Sequence, residues 1–236
     1  MHRIAIPRDV VAAVMKKRGR LHLFDELDAQ RSALIVVDMQ NAFVAPGWSR
    51  LEVPVSREIV PAINHLAATF RAAGGTVVWT QMAAYDDGSW NVYLYRFLNA
   101  QRRAAVLRTL APGSEGYALY PELELDPADV FFEKTRYSPF HPGGSNFDAR
   151  LRACGIDTLV ITGTLSNICC ESLARDAMML DYNVVFVSDA TAAKSDAEHN
   201  ATLANMMQVF ADVMTVEEVE SRLRRVKSLV TGPNAV

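Results

Sequence analysis

Three residues of complementary chemistry stand far apart in the chain, each at or just past an apolar run: Asp38, Lys134 and Cys169. Ala-Leu-Ile-Val-Val precedes Asp38, Val-Phe-Phe-Glu precedes Lys134, and Leu-Val-Ile-Thr-Gly runs toward Ser-Asn-Ile-Cys-Cys. An acid, a base and a thiol in one cleft form the minimum set for nucleophilic acyl transfer. The thiol attacks, the carboxylate takes and returns its proton, and the cation favours the thiolate. Cys169 would gain further from standing in the first turn of a helix, where unpaired N–H groups and the positive dipole end favour the charged sulfur. Starting from a cysteine pKa of about 8.5, these effects bring the thiolate toward the physiological range, while a nearby ionised Asp38 opposes them. Each residue also has an ordinary reading. Asp38 can cap a turn, Lys134 can be a solvated charge, and Cys169 can be a small buried hydrophobe. Its neighbour Cys170, turned about 100° around the helix, is read as core.

The elements decide whether the three meet. Leu159, Val160 and Ile161 suit a strand covered on both faces, which Gly163 ends. Ser166 or Asn167 then caps a helix with Leu173, Ala174, Ala177, Met178 and Leu180 at helical spacing and Glu171 placed to pair with Arg175. Other strands are expected over residues 33–38, 76–81, 129–134, 184–188 and 212–215. Helices are expected over 9–17, 56–73, 99–107, 145–154, 197–210 and 216–227, with Pro61 blurring the start of the second and residues 20–31 a polar connector. Such alternation implies an α/β fold: a six-stranded parallel sheet with right-handed crossovers and helices on both faces. Ligands of open parallel sheets bind outside the carboxyl ends of the strands, so Asp38, Lys134 and Cys169 should face one crevice.

Composition narrows the function classes. The chain has 236 residues, half of them hydrophobic, enough for one large α/β domain over residues 31–230 with a helical extension over 1–30. That extension can pack on its own sheet or on a neighbouring subunit. A net charge of −3 with mixed signs gives no footprint for nucleic acid or an anionic membrane. Three cysteines, two of them adjacent, make no disulfide framework and favour a reducing cytoplasm. No apolar run approaches the roughly 20 residues that cross a bilayer, and the charged start resembles no secretion signal. Residues 82–127 are rich in aromatics, with Tyr85, Trp90, Tyr93, Tyr95, Phe97, Tyr117 and Tyr120. They suit a lid or wall of a small-molecule site, a satellite core or a subunit contact.

Three segments in register carry a resemblance: Ala-Leu-Ile-Val-Val-Asp-Met-Gln-Asn-Ala-Phe, Phe-Phe-Glu-Lys-Thr-Arg-Tyr-Ser and Gly-Thr-Leu-Ser-Asn-Ile-Cys-Cys-Glu-Ser-Leu-Ala-Arg-Asp-Ala. Over residues 31 to about 216 the chain resembles the isochorismatase-like cysteine hydrolases. The resemblance implies a Rossmann-like sheet, a catalytic triad of Asp38, Lys134 and Cys169, and a cis peptide between Thr164 and Leu165. It also implies an oxyanion hole from the N–H groups of Leu165 and Cys169, and a homo-oligomer, dimer or tetramer. Lys134-Thr-Arg-Tyr137 and Asn167-Ile-Cys-Cys-Glu-Ser172 look most like the ureidoacrylate amidohydrolase branch, making Asn41, Gln81, Tyr137 and Asn167 candidate substrate contacts. A structural hydrogen bond is an equal alternative for each. Nicotinamidases hold a metal with an Asp-x-His motif, where this chain has Gln81-Met-Ala-Ala-Tyr-Asp-Asp and scattered histidines, so no metal and no cofactor are expected. The function expected is cysteine-dependent hydrolysis of a C–N bond in a small amide, ureido or carbamoyl substrate. Its rivals are vinyl-ether hydrolysis, which should tolerate loss of the cysteine, and a non-catalytic member, whose thiol would react with iodoacetamide no faster than free cysteine.

Overall fold

Short aliphatic runs, too apolar to face water on either side, pair here as parallel strands. The computed structural model describes residues 1–141 and 146–224. In chain order the strands are β1 (Leu27–Asp28), β2 (Ser32–Val37), β3 (Thr76–Met82), β4 (Val130–Lys134), β5 (Thr158–Thr164), β6 (Asn183–Ala192), β7 (Asp212–Met214) and β8 (Leu223–Arg224). Six of them form one sheet in the order β4-β3-β2-β5-β6-β7, parallel throughout, and β1 pairs with β8. The chain enters this sheet at β2, steps outward to β3 and β4, then returns to the other side of β2 with β5. The direction of winding therefore reverses between β2 and β5, where an open sheet has its natural crevice.

The helices are α1 (Arg8–Arg18), α2 (Asn41–Val44), α3 (Val60–Ala73), α4 (Ala100–Thr109), α5 (Phe147–Ala153), α6 (Glu171–Met179), α7 (Asp196–Asn205) and α8 (Val216–Arg222). None of the described helices is long and apolar enough to cross a membrane. Period-two alternation along β2 divides the core. Leu34 and Val36 pack with Ile63, Leu66 and Phe70 of α3 and Val219 of α8, while Ala33, Ile35 and Val37 pack with Val14, Leu151, Leu173 and Leu203. Both faces of the sheet are thus covered by helices, as the continuous apolar strands require.

Several boundaries differ from expectation, each for a physical reason. The helix expected over 56–73 breaks into a 3-10 turn, Pro54–Arg57, and α3, whose first turn contains Pro61, a residue with no N–H to spend. The segment expected over 197–210 is α7 followed by a π turn, Met206–Phe210. β5 does not end at Gly163 but runs through it. Gly163 has φ +100°, and a Cβ there would stand 2.2 Å from the Val37 carbonyl oxygen, so only glycine lets β5 lie this close to β2. β6 extends past Ser188 to Ala192 by shifting register, pairing Gly163 with Thr191. The expected helix start at Ser145 and the end of the closing helix at Lys227 lie outside the described residues.

The N-terminal segment docks on the chain's own body. Val14 is buried in the core, and the residues expected as a polar connector carry β1. Buried Asp212 accepts from Leu23 N at 2.6 Å and Phe24 N at 3.1 Å, with His22 Nδ1 at 3.0 Å. Ala5 N donates to Asn200 Oδ1, which sews the first residues to α7.

Candidate active site

Asp38 directly follows β2 with φ 51°, a left-handed turn that aspartate tolerates better than most residues. Its backbone N–H still reaches Thr80 O at 3.1 Å, and its Oδ1 accepts from Thr80 Oγ1 at 3.0 Å. Lys134 closes β4, two strands away. Its side chain spans the end of β3, passes Met82 Sδ at 3.5 Å, and brings Nζ to 2.7 Å from Asp38 Oδ2 and 3.5 Å from Cys169 Sγ. Arg136 O accepts from the same ammonium at 3.2 Å. Asp38, Lys134 and Cys169 are exposed by 0%, 2% and 4%, so the lysine is no solvated surface charge.

Cys169 lies in a π turn, Ser166–Cys170, that precedes α6, and the wide loop is closed by Cys170 N donating to Leu165 O at 3.1 Å. Neither Ser166 nor Asn167 caps this helix; Leu165 holds the N-cap position without a side-chain bond. Ser166 Oγ instead meets His199 Nδ1 at 2.9 Å, and His199 Nε2 meets Ser188 O at 3.0 Å. The peptide bond between Thr164 and Leu165 is cis. Cys170 is fully buried against β5 and forms core.

Charge within this knot decides protonation. Burial pushes the Cys169 thiol up to about 12; the Lys134 ammonium pulls it down, and the Asp38 carboxylate adds to the rise by charge and hydrogen bond. In this balance desolvation and Asp38 outweigh the pull of the lysine. Burial also opposes the Lys134 charge, yet Asp38 and Cys169 more than offset it and hold the ammonium above its ordinary value. At rest the sulfur is a thiol beside an ion pair.

The thiol opens into a cavity of about 150 Å³. Its walls are apolar and aromatic: Met82, Trp90, Tyr93, Tyr137, Leu165 and Ile168 are among the lining residues. Trp90, Tyr93 and Tyr137 pack on one another with ring centroids 4.4 to 5.8 Å apart. Residues 82–127 thus supply one wall of the cavity. Of the candidate contacts, only Tyr137 lines it. Asn41 Nδ2 donates to Glu115 O and Gln81 Nε2 to Tyr117 O, so both side chains hold the loop beneath the wall. Asn167 Oδ1 is buried without a partner and outside the lining. Sequence reasoning missed Lys194, which also lines the cavity, and the pairing of Ser166 with His199, since neither lies in a local pattern. Among the described residues no three His, Cys, Asp or Glu side chains gather as a metal cluster.

Comparison with known proteins extends this picture. The isochorismatase domain matches residues 32–218. The ureidoacrylate amidohydrolase RutB of Methylobacterium radiotolerans is 36% identical over 211 residues, covering 84% of this chain and 81% of that protein. A cysteine hydrolase from Pseudomonas syringae superposes with a TM-score of 0.75 at 30% identity, covering 86% of this chain and 96% of its own. N-carbamoylsarcosine amidase from Thermoplasma acidophilum superposes with a TM-score of 0.65 at 30% identity, covering 79% of this chain and 97% of its own.

Proposed function

The chain belongs to the isochorismatase domain family, and within it we propose a cysteine-dependent amidohydrolase that cleaves a C–N bond of a small ureido or carbamoyl compound. One observation carries the reading: Lys134 stands within reach of both Asp38 and Cys169, and Cys169 lines a largely apolar cavity. The relatives named for ureidoacrylate and N-carbamoylsarcosine support the choice of bond.

The chemistry follows from the protonation of the site. Because Cys169 rests as a thiol, attack on a carbonyl must be coupled to proton transfer, and Asp38 is the adjacent base. Sulfur bonds to the carbonyl carbon as its proton moves to Asp38, and the oxygen charge that develops is met by the N–H groups of Leu165 and Cys169. Lys134 keeps the carboxylate in place and offsets negative charge in a site with little water. Collapse of the adduct breaks the C–N bond, and the nitrogen leaves with the proton from Asp38. Water then yields a proton to the same carboxylate, attacks the acyl or carbamoyl sulfur ester, and frees Cys169.

Replacing Cys169 by Ala should lower ammonia release from ureido acids by about 10³-fold or more. Mass spectrometry of enzyme quenched during turnover should find the acyl or carbamoyl group on Cys169. Full turnover by Cys169→Ala, with activity lost only in Asp38→Asn, would sink the proposal and favour vinyl-ether cleavage.

A further inference from the structure

The first residues of the chain are joined to the Cys169 turn through one buried imidazole. His2 is 8% exposed, and its ring stacks on His199 with centroids 4.4 Å apart and planes 13° from parallel. Ala193 N donates to His2 Nε2 at 3.0 Å, so that nitrogen is bare and the proton sits on Nδ1, which donates to Asp196 Oδ1 at 2.8 Å. The second ring is fixed by its partners too. His199 Nε2 faces the Ser188 carbonyl, an acceptor only, which leaves Nδ1 to accept from the Ser166 hydroxyl. Two routes therefore run from His2 to one short segment. The ring face leads through His199 to Ser166, which opens the π turn carrying Cys169. The ring edge leads through Ala193 to Ala192, whose carbonyl accepts from Thr164 Oγ1 at 3.2 Å. Thr164 and Ser166 flank Leu165. The backbone beside His2 is tied down as well: Asn200 Nδ2 donates to Arg3 O at 2.9 Å and Ala5 N donates to Asn200 Oδ1 at 2.6 Å, so residues 2–5 form a strap on α7.

We propose that His2 is a positioning residue: by holding both flanks of Leu165 it sets the direction of the Leu165 N–H, so that the first residues of the chain tune the rate of hydrolysis. The inference rests on the hydrolytic reading above, in which that N–H meets the developing oxyanion. What His2 transmits is place and not charge, since the N–H facing Nε2 leaves its ring without a second proton. His2 is not among the residues lining the cavity, so its loss leaves ground-state binding intact. An oxyanion donor acts only as charge develops, and a misdirected N–H forfeits much of its effect because hydrogen bonds weaken steeply with angle. Loss of His2 should therefore fall on kcat and spare KM.

The test follows ammonia release by the intact chain from 3-ureidopropionate and N-carbamoylglycine. On whichever compound turns over faster, His2→Ala should lower kcat about ten-fold while KM stays within about two-fold. Ser166→Ala should lower kcat by a similar factor, and the double variant His2→Ala/Ser166→Ala by less than the product of the two, because both act on one turn. An unchanged kcat in His2→Ala, an effect confined to KM, or losses that multiply in the double variant would overturn the inference and leave the hydrolase reading standing. Hydrogen exchange adds a readout that needs no turnover. In His2→Ala, exchange should rise in a peptide spanning residues 164–170 and stay unchanged in one spanning β3; a rise in both, or in neither, refutes the assignment. If the native chain hydrolyses neither compound, the hydrolytic reading fails, and the exchange result alone decides whether His2 holds the turn.

Discussion

At the scale of single residues, what matters is where the proton sits on the Asp38, Lys134 and Cys169 knot. The three residue types and their places at strand ends are legible in the sequence, because strand periodicity and turn chemistry are local. The protonation of the thiol is not, because it depends on how completely the surrounding chain removes water. One consequence is measurable. An unfolded chain loses its cysteine proton near the ordinary value of about 8.5, whereas burial pushes the folded Cys169 up to about 12, so the thiol's contribution is intact below the ordinary value and is lost as pH rises through the folded one. Lys134, held above its ordinary 10.5, acts in the same direction at higher pH. Thermal unfolding should therefore show stability falling above pH 9, and Cys169→Ala should flatten the fall between pH 9 and 11 relative to the native chain. Each unit of pKa difference is worth about 1.4 kcal/mol. Slow alkylation of Cys169 by iodoacetamide at neutral pH is likewise expected of a working enzyme here, and no longer marks an inactive one.

At the scale of elements, the position of the Cys169 turn rests on two contacts that no periodic pattern announces. The first is the approach of β5 to β2 at Gly163. The sequence reading takes that glycine as a strand end, since glycine is the usual punctuation, but its φ and the adjacent Val37 backbone show why the strand needs it. Gly163→Ala forces a Cβ against the Val37 carbonyl in a backbone region unfavourable to any side chain. Urea unfolding should record a loss of at least about 2 kcal/mol, with kcat falling as the cysteine turn shifts. The second contact is Ser166 with His199, 33 residues away. A local rule gives Ser166 the role of helix cap, yet the hydroxyl is better satisfied by an imidazole that burial holds neutral, its pKa lowered to about 4. The aromatic wall has the same character: its residues are visible in the sequence, but their placement over the cavity comes from packing across more than forty residues.

At the scale of the whole molecule, the sheet and both helical layers are readable from alternating apolar runs, while the docking of the first thirty residues is not. Their anchor, Asp212, looks from the sequence like the polar start of a short strand; in the fold it is 1% exposed and gathers the backbone of Leu23 and Phe24. Asp212→Asn removes a charged acceptor from two partly buried N–H groups. It should cost about 1–3 kcal/mol in urea unfolding and raise hydrogen exchange over residues 20–28. Unaltered exchange there would place the anchor elsewhere. The burial of Cys169 has a consequence beyond turnover. Cys154 is exposed, whereas Cys169 is buried and burial pushes its thiol up. Peroxide and other electrophilic stresses, which consume accessible thiolates first, should react with Cys154 before Cys169. The enzyme should thus outlast oxidative episodes that silence hydrolases whose sulfur is permanently ionised.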